Sequence, residues 1–369
     1  MKTGRSLKDI SGLILAQHQA KKDYIVNTPV LTMEAAPGNK DIQLGFTVKG
    51  EQRLYTPTNT CLEQIADRVG IPRKYAERMR SEAPGLLATN VNHWFKNAPE
   101  KRMLRTLNNG QNVARAFLSE RYRTLDNYDL AQIVLPRLQD AGCEVHSCEI
   151  TEQRFYIQAS TPRIQAIIDQ TVKVGTHNRI QRTVQAGVII GNSEIGFGSI
   201  FVDPMMYDLV CTNGLIMERT LKRHHVGRRN EGEVFGDEGS FELFSDETRK
   251  LDDKAFWAKV ADVVSASLNE IKFNEGIARL RDTQQQVLAD KPKEVEEVVE
   301  VTASRFNFND EEKGSLLMHF AQGGDFSKYG LINAVTRTAE DVTSYDRAVE
   351  LERLGGQIIE LPASDFTKN

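Results

Sequence analysis

The chain has 369 residues, 40% hydrophobic and 27% charged, with a formal net charge of -4 and four irregularly spaced cysteines. That composition fits a soluble globular protein of two domains, or one domain with a large appendage. It argues against a globally basic protein, a disulfide framework, and any run near the roughly 18 apolar residues that span a bilayer.

In chain order, Ser6 to Lys22 carries Leu7, Ile10, Leu13 and Ile14 at helical spacing. The apolar patch Leu13 to Ala16 is too short for a secretory signal. Tyr24–Thr32 and Asp41–Val48 read as two strands around the turn Pro37-Gly38-Asn39-Lys40, and Thr58 opens a helix that Gly70 stops. Pro72 starts a further helix. Arg102–Leu107 and Gln111–Leu118 flank Asn108-Asn109-Gly110, a hairpin signal. Asp126-Asn127 caps a helix from Tyr128 to Ala141, followed by strands Glu144–Glu149 and Arg154–Ala159.

The densest β pattern runs from Thr183 onward. Val184, Val188, Ile189 and Ile190 precede Gly191-Asn192, and Ile195 to Val202 reads as a second strand. Asp208–Thr212 and Leu215–Met217 flank Asn213-Gly214, the second hairpin signal. Beyond Phe241 the pattern turns acidic and helical. Helices are expected over Ala255–Ile271, Asn274–Asp290 and Pro292–Ala303, from a cap at Asp310, and over Leu331–Leu354. Gly355-Gly356 would end the last, before a short strand Gln357–Leu361. The expected class is α+β: a central, mostly antiparallel twisted sheet with packed helices, then a largely helical C-terminal region. The expected sections are 1–100, a central β-rich domain 101–232 and an acidic helical region 240–369.

Candidate chemistry falls to the basic residues. Cys143, His146 and Cys148 are close in sequence, but on a strand Cys143 faces away from the other two, and no second ligand pair is visible. Residues 191–199 lack the Gly-Lys-Ser/Thr ending of a P-loop and the spacing of a dinucleotide fingerprint. No metal and no cofactor is expected. Ser193 with His224 or His225 could compose a hydrolase dyad only if the fold brought them into hydrogen-bond reach.

Arg219, Lys222, Arg223, Arg228 and Arg229 form the densest cationic run, and Arg102, Arg105, Arg121, Arg123, Arg154, Arg179 and Arg182 sit on or near neighbouring predicted strands, which would make one cationic sheet face or groove. Fixed positive charge is what phosphodiester contacts require. Tyr122, Tyr156 and Phe197 are candidate surfaces for stacking unpaired bases. The expectation is therefore non-catalytic binding of nucleic acid, single-stranded in preference. The alternative is a protein-interaction or host-defence-modulating factor that binds no nucleic acid, its basic residues pairing with the acidic helices.

The stretches ATNVNHWF, RAFLSERYRTLDNYDL, AGVIIGNSEIGFGSIFVDPMMYDLVCTNGLI and GLINAVTRTAEDV resemble a phage/plasmid-like protein family, domain of unknown function 932. Asn192, Ser193, Glu194, Gly196, Gly198, Asn213 and Gly214 carry the most specific part. The resemblance implies a gene of bacteriophages, plasmids or integrated elements, hence the cytoplasm of a bacterial host; it brings no established activity and no catalytic residues to carry over. The hairpin–helix–strand layout of the middle section is similar, in layout alone, to single-strand annealing recombination proteins. Expected partners are a nucleic acid, further copies of the chain, and a protein docking on the C-terminal helices; no membrane is expected.

Overall fold

The computed structural model describes residues 1–38, 40–172, 178–210, 214–217, 221–223 and 246–367. The described elements are α1 (Leu7–Ala20), β1 (Lys21–Asn27), β2 (Thr32–Ala35), β3 (Ile42–Val48), β4 (Glu51–Pro57), α2 (Asn59–Val69), α3 (Arg73–Glu82) and α4 (Pro84–Asn97). There follow β5 (Lys101–Leu107), β6 (Val113–Ser119), α5 (Asn127–Asp140), β7 (Glu144–Ile150), β8 (Phe155–Val172), β9 (Asn178–Asn192), β10 (Ile200–Asp208), β11 (Gly214–Ile216) and β12 (Leu221–Arg223). The C-terminal helices are α6 (Asp246–Ser267), α7 (Glu270–Asp282), α8 (Pro292–Arg305), α9 (Asp310–Gly323), α10 (Lys328–Asp341) and α11 (Tyr345–Glu360).

The strands form two six-stranded sheets, and the fold is α+β with a helical C-terminal region. The first sheet has the order β1-β5-β6-β4-β3-β2, antiparallel except for the parallel pair β4–β6. Leu44, Leu62, Ile65, Leu87, Val91, Leu104 and Phe117 share the core between this sheet and α2–α4. The expected division at residue 100 passes through this sheet, because β5 and β6 pair with β1 and β4. The turn at residues 37–40 joins β2 to β3, whereas β1 pairs with β5.

The second sheet runs β11-β10-β9-β8-β7, with β12 also on β10. It is buried on both faces, which explains the unbroken apolar run of β9. Val188 and Ile190 pack with Leu130, Val134, Phe256 and Val260 of α5 and α6. Ile189, one residue out of phase, packs with Tyr156, Phe201, Tyr345 and Val349 toward α11. Farther along, Ile168, Val184 and Ala186 join α7–α11 in the largest core.

Several expected elements change. The strand expected over Asp208–Thr212 is the end of β10 at Asp208 followed by a turn at Leu209 and Val210, and Gly214 lies in the ladder opposite Tyr207 rather than in a two-residue turn. The strand expected over Tyr24–Thr32 ends at Asn27, where a 3-10 turn, Thr28–Val30, begins. Ile195–Val202 is a strand only from Ile200; Ser193 to Ser199 is a loop. The helix expected over Asn274–Asp290 ends at Asp282. Leu331–Leu354 is two helices, α10 and α11, and Gln357 to Glu360 belong to α11 rather than to a strand. Gly355 and Gly356 lie inside α11 because β11 packs on them: a Cβ at Gly356 would collide with the Ile216 carbonyl. On β7 a bulge between Val145 and Ser147 resets the alternation. His146 stacks on Tyr207 while Cys148 joins the opposite core, so these two do not share a face as expected. Among the described residues no three His, Cys, Asp or Glu side chains form a metal-holding group. No described helix is long and apolar enough to cross a membrane.

Candidate functional site

The loop between β9 and β10 is held from below by a buried polar joint between the two sheets. Arg105 of β5, 1% exposed, donates to Asp23 Oδ1 at 3.1 Å, to Asp126 Oδ1 at 2.6 Å and to the Glu194 carbonyl at 2.7 Å. Lys21 also pairs with Asp126. Glu194 accepts from Arg115 Nη1 and from the Asn127 N–H, each at 2.7 Å. Asn192 donates to the Leu125 carbonyl and to Asn127 Oδ1, each at 2.8 Å. Burial alone would lower the Arg105 pKa; the surrounding Asp126, Asp23 and Glu194 outweigh it and raise it. Burial pushes the Asp126 carboxyl up, and Arg105 with Lys21 carries it below its ordinary value. Asp126 thus spends its carboxylate on this joint and makes no side-chain cap to α5, contrary to expectation.

This explains the Asn192-Ser193-Glu194 motif without chemistry at those atoms. Ser193 is fully buried and its Oγ accepts the Phe197 N–H at 3.0 Å. Tyr122 donates to the Ser193 carbonyl at 3.1 Å. Ile195 packs with Met103, Ala116 and Leu118, and Tyr122 and Phe197 lie against the same cluster. His224 and His225 lie outside the described residues.

Above the joint the loop closes one wall of a pocket of about 350 Å³. Tyr156 and Phe201 line it from the sheet, Arg154 from just before β8, and Gly198 and Ser199 from the loop; Asp346, Val349, Glu350 and Arg353 line it from α11. Arg154 donates through Nη2 to the Phe197 carbonyl. Gly198 has φ +139, and a Cβ there would collide with that same Nη2. A side chain at 198 would therefore strain the backbone and displace the guanidinium. Arg353 lies 4.9 Å from the Phe201 ring centroid and donates to the buried Asp203 at 2.5 Å. Arg154 has no carboxylate within ion-pair distance among the described residues.

Two residues of the basic run, Lys222 and Arg223, come beside this pocket in β12. Leu221, Lys222 and Arg223 pair with Val202, Phe201 and Ile200 of β10. The backbone of Lys222 is therefore opposite a pocket residue, and that of Arg223 is opposite Ile200, next to Ser199. Arg154, Tyr156, Gly198, Lys222 and Arg223 are thus brought to one end of the second sheet.

Other expected contacts are placed differently. Arg182 is buried and bonded to Asp208 at 3.0 Å. It cannot present its charge to a strand while it neutralises a carboxylate inside the protein. Arg123 pairs with Asp252 at 2.9 Å and with Asp253, both on α6, so its charge too is spent within the chain. Tyr156 is 3% exposed and donates to Asp346 Oδ1 at 2.6 Å, which leaves no ring face for base stacking. Burial and the Asp346 charge raise its pKa. Tyr122 is held by its bond to Ser193, and Phe197 is half-buried. Arg121 is exposed, with no side-chain partner among the described residues. Gly196 is exposed in the loop with φ +85, and Gly214 begins β11. Asn213, Arg219, Arg228 and Arg229 lie outside the described residues.

Sequence reasoning passed over Arg353, Asp203 and Asp346, and took Arg105 for one more arginine of a cationic sheet face, whereas it is buried between carboxylates. A charged residue inside an otherwise apolar strand, as at Arg105 in MLRTL, is the signal that could have marked the joint. No family model, curated protein or solved structure matches this chain.

Proposed function

We propose that the chain binds a polyanion, a single nucleic-acid strand, non-catalytically at the end of the second sheet. The observation that supports this reading is the pairing of β12 with β10 beside a pocket whose Arg154 guanidinium has no carboxylate partner among the described residues. Arginine's planar donor fork suits phosphate oxygens, and the run from Arg219 to Arg229 would extend the contact along the strand. Residues Arg182 and Arg123 are not part of this reading, since each serves an internal ion pair. Work in phage or plasmid replication or recombination belongs to the same proposal and rests on the motif resemblance.

Fluorescence anisotropy with a labelled oligo-dT across a salt series tests it. Binding should weaken linearly on a log–log salt plot. Arg154→Ala and the triple change Arg223→Ala, Arg228→Ala, Arg229→Ala should each weaken binding and flatten that slope. Salt-insensitive binding, or full binding by both variants, refutes the reading. A second reading, a protein-interaction factor, is favoured by one observation: the acidic α6 already clasps Arg123 through two aspartates. Co-purification of the full chain with a protein and no nucleic acid would select it.

A further inference from the structure

A second cavity, of about 360 Å³, lies at the C-terminal end of α5, lined by Arg137, Thr161, Arg163, Ile164, Ser265 and Leu268. Along β8, Thr161 is seven residues from Arg154, roughly 20 Å at the rise of an extended strand, so the cavity is distinct from the site above. The ladder between β8 and β9 shifts register between Thr161 and Gln165. Such a bulge lifts intervening residues out of pairing and re-aims their side chains.

Arg163 is fixed on three sides. Its Nη1 donates to the Asp140 carbonyl at 2.9 Å, and its own N–H donates to Thr161 Oγ1 at 3.3 Å. That hydroxyl in turn donates to the Ala141 carbonyl at 2.9 Å. The guanidinium lies against Gly142, where a Cβ would stand 2.6 Å from Nε. Gly142 has φ +66, the left-handed conformation usual just past a helix end. Neither Arg163 nor Arg137 has a carboxylate within ion-pair distance among the described residues. Asp140 is also at the rim, so two cations face one carboxylate and the cavity keeps a net positive charge. Ala141, Ile164 and Leu268 supply apolar wall.

We infer that this cavity binds a small organic oxyanion with an apolar body, the anion held by Arg163 and Arg137 and the body by Ile164 and Leu268. Charge-assisted bonds from two guanidiniums fix the anion, and the apolar wall separates such a ligand from free phosphate.

Calorimetric titration of the full chain with phenyl phosphate tests the inference. Saturable binding is expected, with benzyl alcohol, which lacks the charge, giving none. Arg137→Ala and Arg163→Ala should each weaken binding about tenfold or more. Both side chains are exposed, so these variants should keep the wild-type melting temperature. Gly142→Ala should weaken binding by displacing the Arg163 guanidinium. Arg279→Ala, a surface arginine paired with Glu360, should change nothing. Absence of saturable binding, equal binding of benzyl alcohol, or wild-type affinity in the Arg137→Ala, Arg163→Ala double variant overturns the inference.

Discussion

Glu352 offers a sharp test of how α11 is seated on the second sheet. It is 1% exposed, and one carboxylate oxygen accepts from Gln158 Nε2 of β8 at 2.7 Å. Burial pushes its carboxyl up from 4.5 to about 7. A pKa raised on folding contributes stability that is whole below the unfolded value and is lost as pH rises through the folded one. Between about pH 4.5 and 7 the unfolded chain releases this proton while the folded chain keeps it. At 1.36 kcal/mol per unit, the loss from near pH 5 to near pH 8 amounts to about 2.5 kcal/mol. Glu352→Gln keeps an acceptor for Gln158 and removes the titration. Urea unfolding of both proteins at the two pH values measures the difference: the variant should lose about 2.5 kcal/mol less than wild type over that span. Parallel losses would refute the placement of an uncharged acid in this seam.

Other outcomes follow from the joint and the loop. Arg105→Met should cost roughly 3–5 kcal/mol in denaturant unfolding, because Asp126 and Asp23 lose their buried partner. A smaller cost would mean that the joint is hydrated. Gly198→Ala should destabilise by roughly 1–3 kcal/mol through backbone strain and should weaken oligonucleotide binding by shifting Arg154. Thermal melts and anisotropy read the two effects separately. Arg123→Ala should cost only about 1 kcal/mol, fading in high salt, since Asp252 and Asp253 are half exposed or more accessible still. A salt-independent loss would point instead to its packing over Phe256.

What could be read ahead of the structure was what depends on neighbours in sequence. Asn108-Asn109-Gly110 sets the β5–β6 hairpin within a few residues, and Gly70 ends α2 in the left-handed conformation expected of it. The parallel pair β4–β6 and the placing of β1 against β5 depend on distant segments and left no local trace. The Ile195–Ser199 alternation misled because Ile195 is buried, and Phe197 half-buried, by packing on β5 and β6 side chains, not by lying in a strand. At the candidate site, the glycines and Arg154 were legible as residue types. Which arginines keep their charge for a partner was not. Arg115 finds Glu194 79 residues away, and Arg123 finds Asp253 130 residues away; no spacing rule couples such positions.

The edge position of β1 has a consequence for biosynthesis. Lys21 lies across from Leu107, and Asn27 from Lys101. A ribosome adding about 5–20 residues per second needs several seconds to deliver that mate. During this wait β1 has no hydrogen-bonding ladder, and Ile25, still 54% exposed in the finished protein, is available to passing chaperones or to sister chains. Crowded expression at high temperature should therefore lose material at the nascent stage, before the second sheet exists to be tested for any ligand.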